Sequence, residues 1–246
     1  MRKIPLPPTT ANTSQTPPIQ SSSISSVDPN AAKQAATVVL AQISQYPFLS
    51  LVPINRTISS YTPTSSHEFT YEGISLKLPW SGTPKIQTLS GVGTQIKFPN
   101  NEFVMLPNPY PDPLHRQTFL DSIKTNEDRE KFNYLFGEEN LNSNSAFFNL
   151  VLNSSPTTLS STTSSPKELL AQSMLLPIKL TMFFDSSTQS IYQFSTPDFK
   201  VFEFTDLPAK NQSFIYLYDA RDNGRLITTS ANQNEIDFIL SSIKEQ

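Results

Sequence analysis

The sequence predicts an α+β fold: an antiparallel β-sheet with helices packed on one face, preceded by a disordered Ser/Thr/Pro-rich arm. Three observations carry this. Residues 1–30 contain 16 Ser, Thr or Pro and no aromatic residue, so the segment has too little apolar surface to offset the entropy lost on ordering it. Short runs such as Ile74-Ser75-Leu76-Lys77-Leu78 and Phe202-Glu203-Phe204 alternate with period two, as strands with one buried face do. Helix signals fall between and after those runs, as capping residues followed by apolar positions three and four apart. The chain then divides into a tether over 1–28, a helix over 29–46, a linker over 47–66 and a single α+β domain over 67–246. A domain of roughly 180 residues buries about 70% of its unfolded surface, enough for a core of its own.

Taken in order, Asp28-Pro29 is an N-cap followed by proline at the first helical position. The Ala-rich stretch after it, with Val38, Val39, Leu40 and Ile43, predicts a helix. Residues 47–66 return to Pro, Ser and Thr and read as a linker. Phe69, Tyr71, Ile74, Leu76 and Leu78 suit two strands joined at Glu72-Gly73, closed by Trp80-Ser81-Gly82. A second pair, Ile96–Phe98 and Phe103–Leu106, would turn at Asn100-Asn101. Pro107, Pro109, Pro111 and Pro113 alternate with other residues, which predicts an extended, polyproline-like crossing.

Three helices are predicted next: 115–123; a second opened by Thr125 with Asp128 and stopped by Gly137; and a third around Phe147, Phe148, Val151 and Leu152 that ends before Pro156. A Ser/Thr loop spans 154–165. Ser165-Pro166-Lys167-Glu168 then opens a helix to about Leu176, where Pro177 either kinks or ends it. A meander is predicted over 190–195, 199–205, 213–219 and 225–229, with Asp222-Asn223-Gly224 as the hairpin turn between its last two strands. Asn232 with Glu235 caps a final helix lined by Ile236, Ile239, Leu240 and Ile243.

Composition narrows the classes of function. The net charge is −3 from 18 basic and 21 acidic residues, and Lys and Arg are scattered. A nucleic-acid partner, which calls for a clustered basic excess, is therefore not expected. The chain has no cysteine, so disulfides, thiolate metal sites and a cysteine nucleophile are excluded. The longest apolar candidate, Leu169–Phe184, is interrupted by Gln172, Pro177 and Lys179, so no membrane-spanning segment is expected. Met1-Arg2-Lys3 runs into prolines without an apolar core, which leaves two places for the chain: the periplasm or cell envelope if a leader has been removed, otherwise the cytoplasm.

The chemistry-bearing residues are few. His115 lies beside Arg116 and near Asp112, and could serve as a general base because imidazole titrates near neutral pH. A surface histidine at a helix start is the favoured reading of it, and His67-Glu68 carries still less. The chain has no Gly-x-Ser-x-Gly elbow, and Gly91 and Gly93 open no phosphate-cradling loop. Asp219, Asp222, Asn223 and Gly224 resemble an oxygen-rich calcium loop, but Arg221 and Ser230 fall where ligands are required. A hairpin turn explains them, and neither a metal nor a cofactor is expected. Arg2-Lys3-Ile4-Pro5-Leu6-Pro7-Pro8 matches the Arg-x-x-Pro-x-x-Pro form of an SH3 ligand.

Two pieces resemble the PsbP-like fold, named for an extrinsic subunit of photosystem II and also found in small bacterial envelope lipoproteins. They are Tyr71-Glu72-Gly73-Ile74-Ser75-Leu76-Lys77-Leu78-Pro79-Trp80, similar to that family's opening hairpin, and the closing meander with Ile239-Leu240-Ser241-Ser242-Ile243-Lys244. The helical block from 115 to 176 departs from the family pattern, and no functional residue carries over. The resemblance implies a non-enzymatic accessory protein on a flexible arm.

The leading expectation is thus a non-enzymatic binding or accessory protein, in a bacterial cell envelope, with a protein partner and the aromatic-rich sheet as contact surface. A hydrolase using His115 with a serine and Asp112 or Asp121 is the second reading. An adaptor or effector docking through Arg2–Pro8 is the third.

Overall fold

The computed structural model of the protein describes residues 26–107, 116–182, 188–206 and 212–246. In chain order the helices are α1 (Pro29–Ile43), α2 (Arg116–Asp121), α3 (Asn126–Phe136), α4 (Glu138–Asn142), α5 (Asn144–Leu152), α6 (Pro156–Ser160), α7 (Pro166–Met182) and α8 (Gln233–Ser242). The strands are β1 (Ile54–Asn55), β2 (His67–Tyr71), β3 (Ile74–Leu78), β4 (Lys85–Leu89), β5 (Gly93–Lys97), β6 (Phe103–Pro107), β7 (Thr188–Ser195), β8 (Lys200–Asp206), β9 (Ser213–Tyr218), β10 (Gly224–Thr229) and β11 (Lys244–Glu245). Eight of them form one sheet in the order β1-β7-β8-β9-β10-β6-β5-β4, and β11-β3-β2 form a small second sheet. All pairings are antiparallel except β1 with β7. The fold is α+β, with an antiparallel-rich sheet.

Alternation along the central strands sorts the core into two halves. Phe202, Phe204 and Tyr218 face the helical layer, where they meet Phe147, Phe148, Val151 and Leu176. Val201, Ile215, Leu217 and Ile227 face the other way, against the small sheet and Ile236, Ile239 and Leu240 of α8. Helices α1 to α7 thus gather on one face. The other face is covered by α8 and β11-β3-β2 together, an arrangement that only long-range pairing defines. Phe148 sits at the centre of the first half, with ring centroids 4.9 Å from Tyr216 and 5.0 Å from Phe202.

Local signals place the helix ends. The Asp28 carboxylate accepts from Asn30 N at 2.9 Å to start α1. Both bonds of the Thr125–Asp128 box open α3, and both bonds of the Asn232–Glu235 box open α8. Gly137, at φ 83°, ends α3. The α7 helix runs through the exposed Pro177 to Met182, so the proline does not end it.

The structure differs from the sequence reading in other places. Residues 47–66, read as a linker, include a 3-10 turn (Pro47–Ser50) whose Phe48 and Leu49 are buried in the helical core, and β1 at the sheet edge. Helix α1 buries Ala32, Ala36, Val39 and Ile43 in that same core. The Ser/Thr stretch 154–165 contains α6, and α4 and β4 have no counterpart in the sequence reading. The expected tether over 1–28 lies almost wholly outside the described residues, as does the polyproline crossing beyond Pro107. Among the described residues no helix is long and apolar enough to cross a membrane.

Candidate functional site

A groove lies on the helical face of the sheet, between the β7–β8 hairpin and helices α4 and α5. Its cavity volume is about 260 Å³, and four carboxamides line it: Asn55, Asn140, Asn149 and Gln193. Ser195 and Lys200, opposite each other at the hairpin's end, border it. They also border an adjoining, more open depression of about 430 Å³ that extends to Ser143, Asp198 and Asp222.

Each carboxamide enters the groove for a local reason. Asn55 is the last residue of β1, paired with Gln193 of β7, and Gln193 Nε2 donates to Asn55 Oδ1 at 2.9 Å. Asn140 Nδ2 donates to Phe136 O at 2.7 Å, one turn back across the Gly137 break. Asn149 Oδ1 accepts from Asn153 Nδ2 at 2.9 Å. Every one of the four therefore spends one half of its amide on the fold. Asn55 Nδ2, Gln193 Oε1, Asn140 Oδ1 and Asn149 Nδ2 remain without a further hydrogen bond among the described residues. That is two donors and two acceptors in one concave site, each on a side chain already held by its other end.

The groove's wall is fixed by the β9–β10 turn. Asp222, held at φ 64°, takes both Asn144 N and Ser145 N at the start of α5, the latter at 2.9 Å. A carboxylate at a helix N-terminus satisfies orphan N–H groups and the positive end of the helix dipole. Asp219, the other acid of this loop, accepts from Arg221 N and Asn223 N, both at 2.9 Å, and from Asn223 Nδ2. The loop's carboxylates are thus occupied by main-chain N–H groups, as the hairpin reading of Asp222-Asn223-Gly224 requires. Among the described residues no three His, Asp or Glu side chains come together as a metal site would need.

On the opposite face a buried charge cluster fastens the segment after β1. Arg56 Nη1 donates to Asp237 Oδ1 at 2.6 Å, and Nε donates to Glu203 Oε2 at 3.2 Å, with Nη2 closing a second contact to that oxygen. The guanidinium lies 4.4 Å from the Phe194 ring centroid. Ser59 N donates to Asp237 Oδ2 at 2.7 Å. Glu203 has no solvent exposure. Burial pushes its carboxyl above the ordinary range, against the pull of Arg56. The role of the cluster is positional: it pins residues 54–59 to β7, β8 and α8, and so holds Asn55 at the groove.

Lys179, in the buried face of α7, is a third polar centre. Its ammonium donates to Leu51 O, Leu152 O and Ser154 O at 2.6, 2.8 and 2.6 Å. Burial pushes it down to about 7. It ties the turn before β1 to the C-terminus of α5, the helix that carries Asn149.

His115 and Asp112, the residues proposed from sequence for a hydrolase, lie outside the described residues, as does the Arg2–Pro8 motif. Asp121 is exposed on α2, where it accepts from Gln117 Nε2 at 2.8 Å. His67 is in β2, with its ring 5.4 Å from that of Phe98. None of the four carboxamides, nor Arg56 or Lys179 as a polar centre, was legible as a site residue. Asn and Gln carry no motif, and these four come from β1, α4, α5 and β7. A comparison with protein-family models, with curated proteins and with solved structures finds no match to this chain.

Proposed function

We propose that this chain is a non-enzymatic binding protein that holds its ligand in the carboxamide-lined groove beside the β7–β8 hairpin. One observation carries the reading: four carboxamides, each anchored by one half of its amide, leave two donors and two acceptors unspent in one concavity. A pocket recognises ligands through a small number of well-placed polar groups on rigid elements. Carboxamides suit that task and are poor proton-transfer groups, because neither end titrates near neutral pH. The Arg56 cluster and Lys179 support the reading by fixing two of the elements that carry those amides.

The test is saturation-transfer NMR on the full chain with a mixture of linear oligopeptides and oligosaccharides, followed by mass spectrometry of the mixture. The expected result is a binder whose signal disappears in Ala146→Trp, a substitution in the groove wall, and whose mass is unchanged after hours with the protein. A binder that is cleaved, or the absence of any signal sensitive to Ala146→Trp, overturns the proposal.

A further inference from the structure

From the groove's chemistry we infer that its ligand is an extended polypeptide read through its main chain. This rests on the binding reading above and narrows it to one class of ligand. The first observation is the donor and acceptor set. A primary carboxamide presents the same C=O acceptor and N–H donor as a peptide group, so each unspent half can pair with one main-chain group of a bound peptide. Asn55 and Asn149 keep donors for peptide carbonyls, and Gln193 and Asn140 keep acceptors for peptide N–H groups.

A second, independent observation is an open strand edge beside these amides. Thr196 N donates to Phe199 O at 2.9 Å, and Gln193 O accepts from Arg56 N at 3.3 Å. Hydrogen-bonded and non-hydrogen-bonded pairs alternate along an antiparallel ladder. Gln193 and Ser195 therefore both turn their main-chain groups away from β8. On that side β1 pairs only with Tyr192 and Gln193, because it ends at Asn55. The main chain at Ser195, an exposed residue, is left beyond the end of β1. An extended peptide can pair there with the N–H and C=O of Ser195, the last residue of β7, so that main-chain bonds add to those of the amides.

The third observation weighs against a sugar. Oligosaccharides are gripped by stacking on an exposed aromatic face, and the groove offers none. Phe202 is 4% exposed, and the Phe194 ring is covered by Arg56 on the opposite side of the sheet. Lys200, exposed next to Ser195, adds a single positive charge that favours a carboxylate at one end of the peptide.

Linear dodecapeptides displayed on phage are selected on the full chain, with counter-selection on Ala146→Trp, and the winners are resynthesised for calorimetry. N-methylation of a single central peptide nitrogen is expected to weaken binding about tenfold or more. Asn149→Leu in the protein should cost about tenfold, with an unchanged melting temperature showing that the fold survives. Equal affinity of the methylated and unmethylated peptides, or of Asn149→Leu and the parent chain, overturns the inference. An oligosaccharide array is probed in parallel. Saccharide binding lost in Ala146→Trp, without peptide binding, sinks the peptide inference and leaves the binding reading standing. Failure of both probe classes to show groove-dependent binding sinks both.

Discussion

Lys179 is fully buried, and among the described residues no carboxylate pairs with it. Its three donors go to three carbonyls, two of them just at and past the end of α5, where a positive charge also meets the negative end of the helix dipole. Burial still lowers its affinity for the proton, to about 7, while a lysine in the unfolded chain titrates near 10.4. Between those values the unfolded chain binds a proton that the folded chain gives up, so unfolding becomes harder as pH rises through the window. Below about 7 both states are protonated, and the penalty for burying the charge is complete. Urea unfolding at pH 7, 8 and 9 is expected to show stability rising by up to about 1.4 kcal/mol per pH unit. Lys179→Met should abolish that slope. At pH 7 the same variant should lose about 2–4 kcal/mol, because three buried acceptors are left without donors. A slope that survives Lys179→Met would assign the pH dependence to another group.

At the scale of elements, the segment 47–59 shows what one buried ion cluster does. Arg56 serves two carboxylates from separate elements, Glu203 of β8 and Asp237 of α8. Removing it as Arg56→Met leaves two carboxylates buried without their cation, at a cost of about 3–5 kcal/mol. Glu203 already binds its proton more tightly than an ordinary glutamate because of burial. Without Arg56 only the hydrogen bond with Gln233 opposes that effect, so in the variant the folded state takes up a proton before the unfolded state does, and acidification stabilises it relative to neutral pH. Chemical denaturation at pH 5 and pH 7 should therefore show the deficit of Arg56→Met shrinking at pH 5. An undiminished deficit would mean that lost packing on Phe194, rather than orphaned charge, sets the cost. The contrast between segments explains what the sequence made legible. Caps at Asp28, Thr125, Ser165 and Asn232 are local, decided within four residues, and each could be read. The β7–β10 meander could be read because its strands are short runs rich in aromatic and β-branched residues bounded by turn signals. β4 could not, because nearly all of it is exposed and it shows no alternation. The segment 47–59 looked like a linker because its holds on the fold are long-range: Phe48 and Leu49 in the helical core, Leu51 O on Lys179, and Arg56, whose partners lie 147 and 181 residues away. The groove shares that difficulty, since four amides from four elements make a site only after folding.

For the whole molecule, the question is whether the two half-cores on either side of the main sheet unfold as one. The sheet's central strands belong to both: Phe202 and Phe204 point into one half, Val201 and Ile215 into the other. Losing order in either half exposes an apolar face of β8 and β9 to water, and the burial of that face is lost to the other half as well. The protein carries its own reporter for this. Its one tryptophan, Trp80, is in the half-core beneath α8, edge-on to Phe98 at 5.3 Å and bonded through Nε1 to Glu235 at 3.0 Å. Most helix, by contrast, lies in the other half, so far-UV circular dichroism follows that side. In a thermal melt the two signals are expected to coincide. The stronger test is Phe148→Ala, which opens a cavity only on the helical side and should cost about 3–5 kcal/mol. For a domain of this size that lowers the midpoint by about 10 °C. If the halves are one cooperative unit, Trp80 fluorescence shifts by the same amount although no atom near Trp80 has changed. If the Trp80 transition stays where it was while the dichroism moves, the sheet divides two independently stable layers, and the groove on the helical face could then open without disturbing α8.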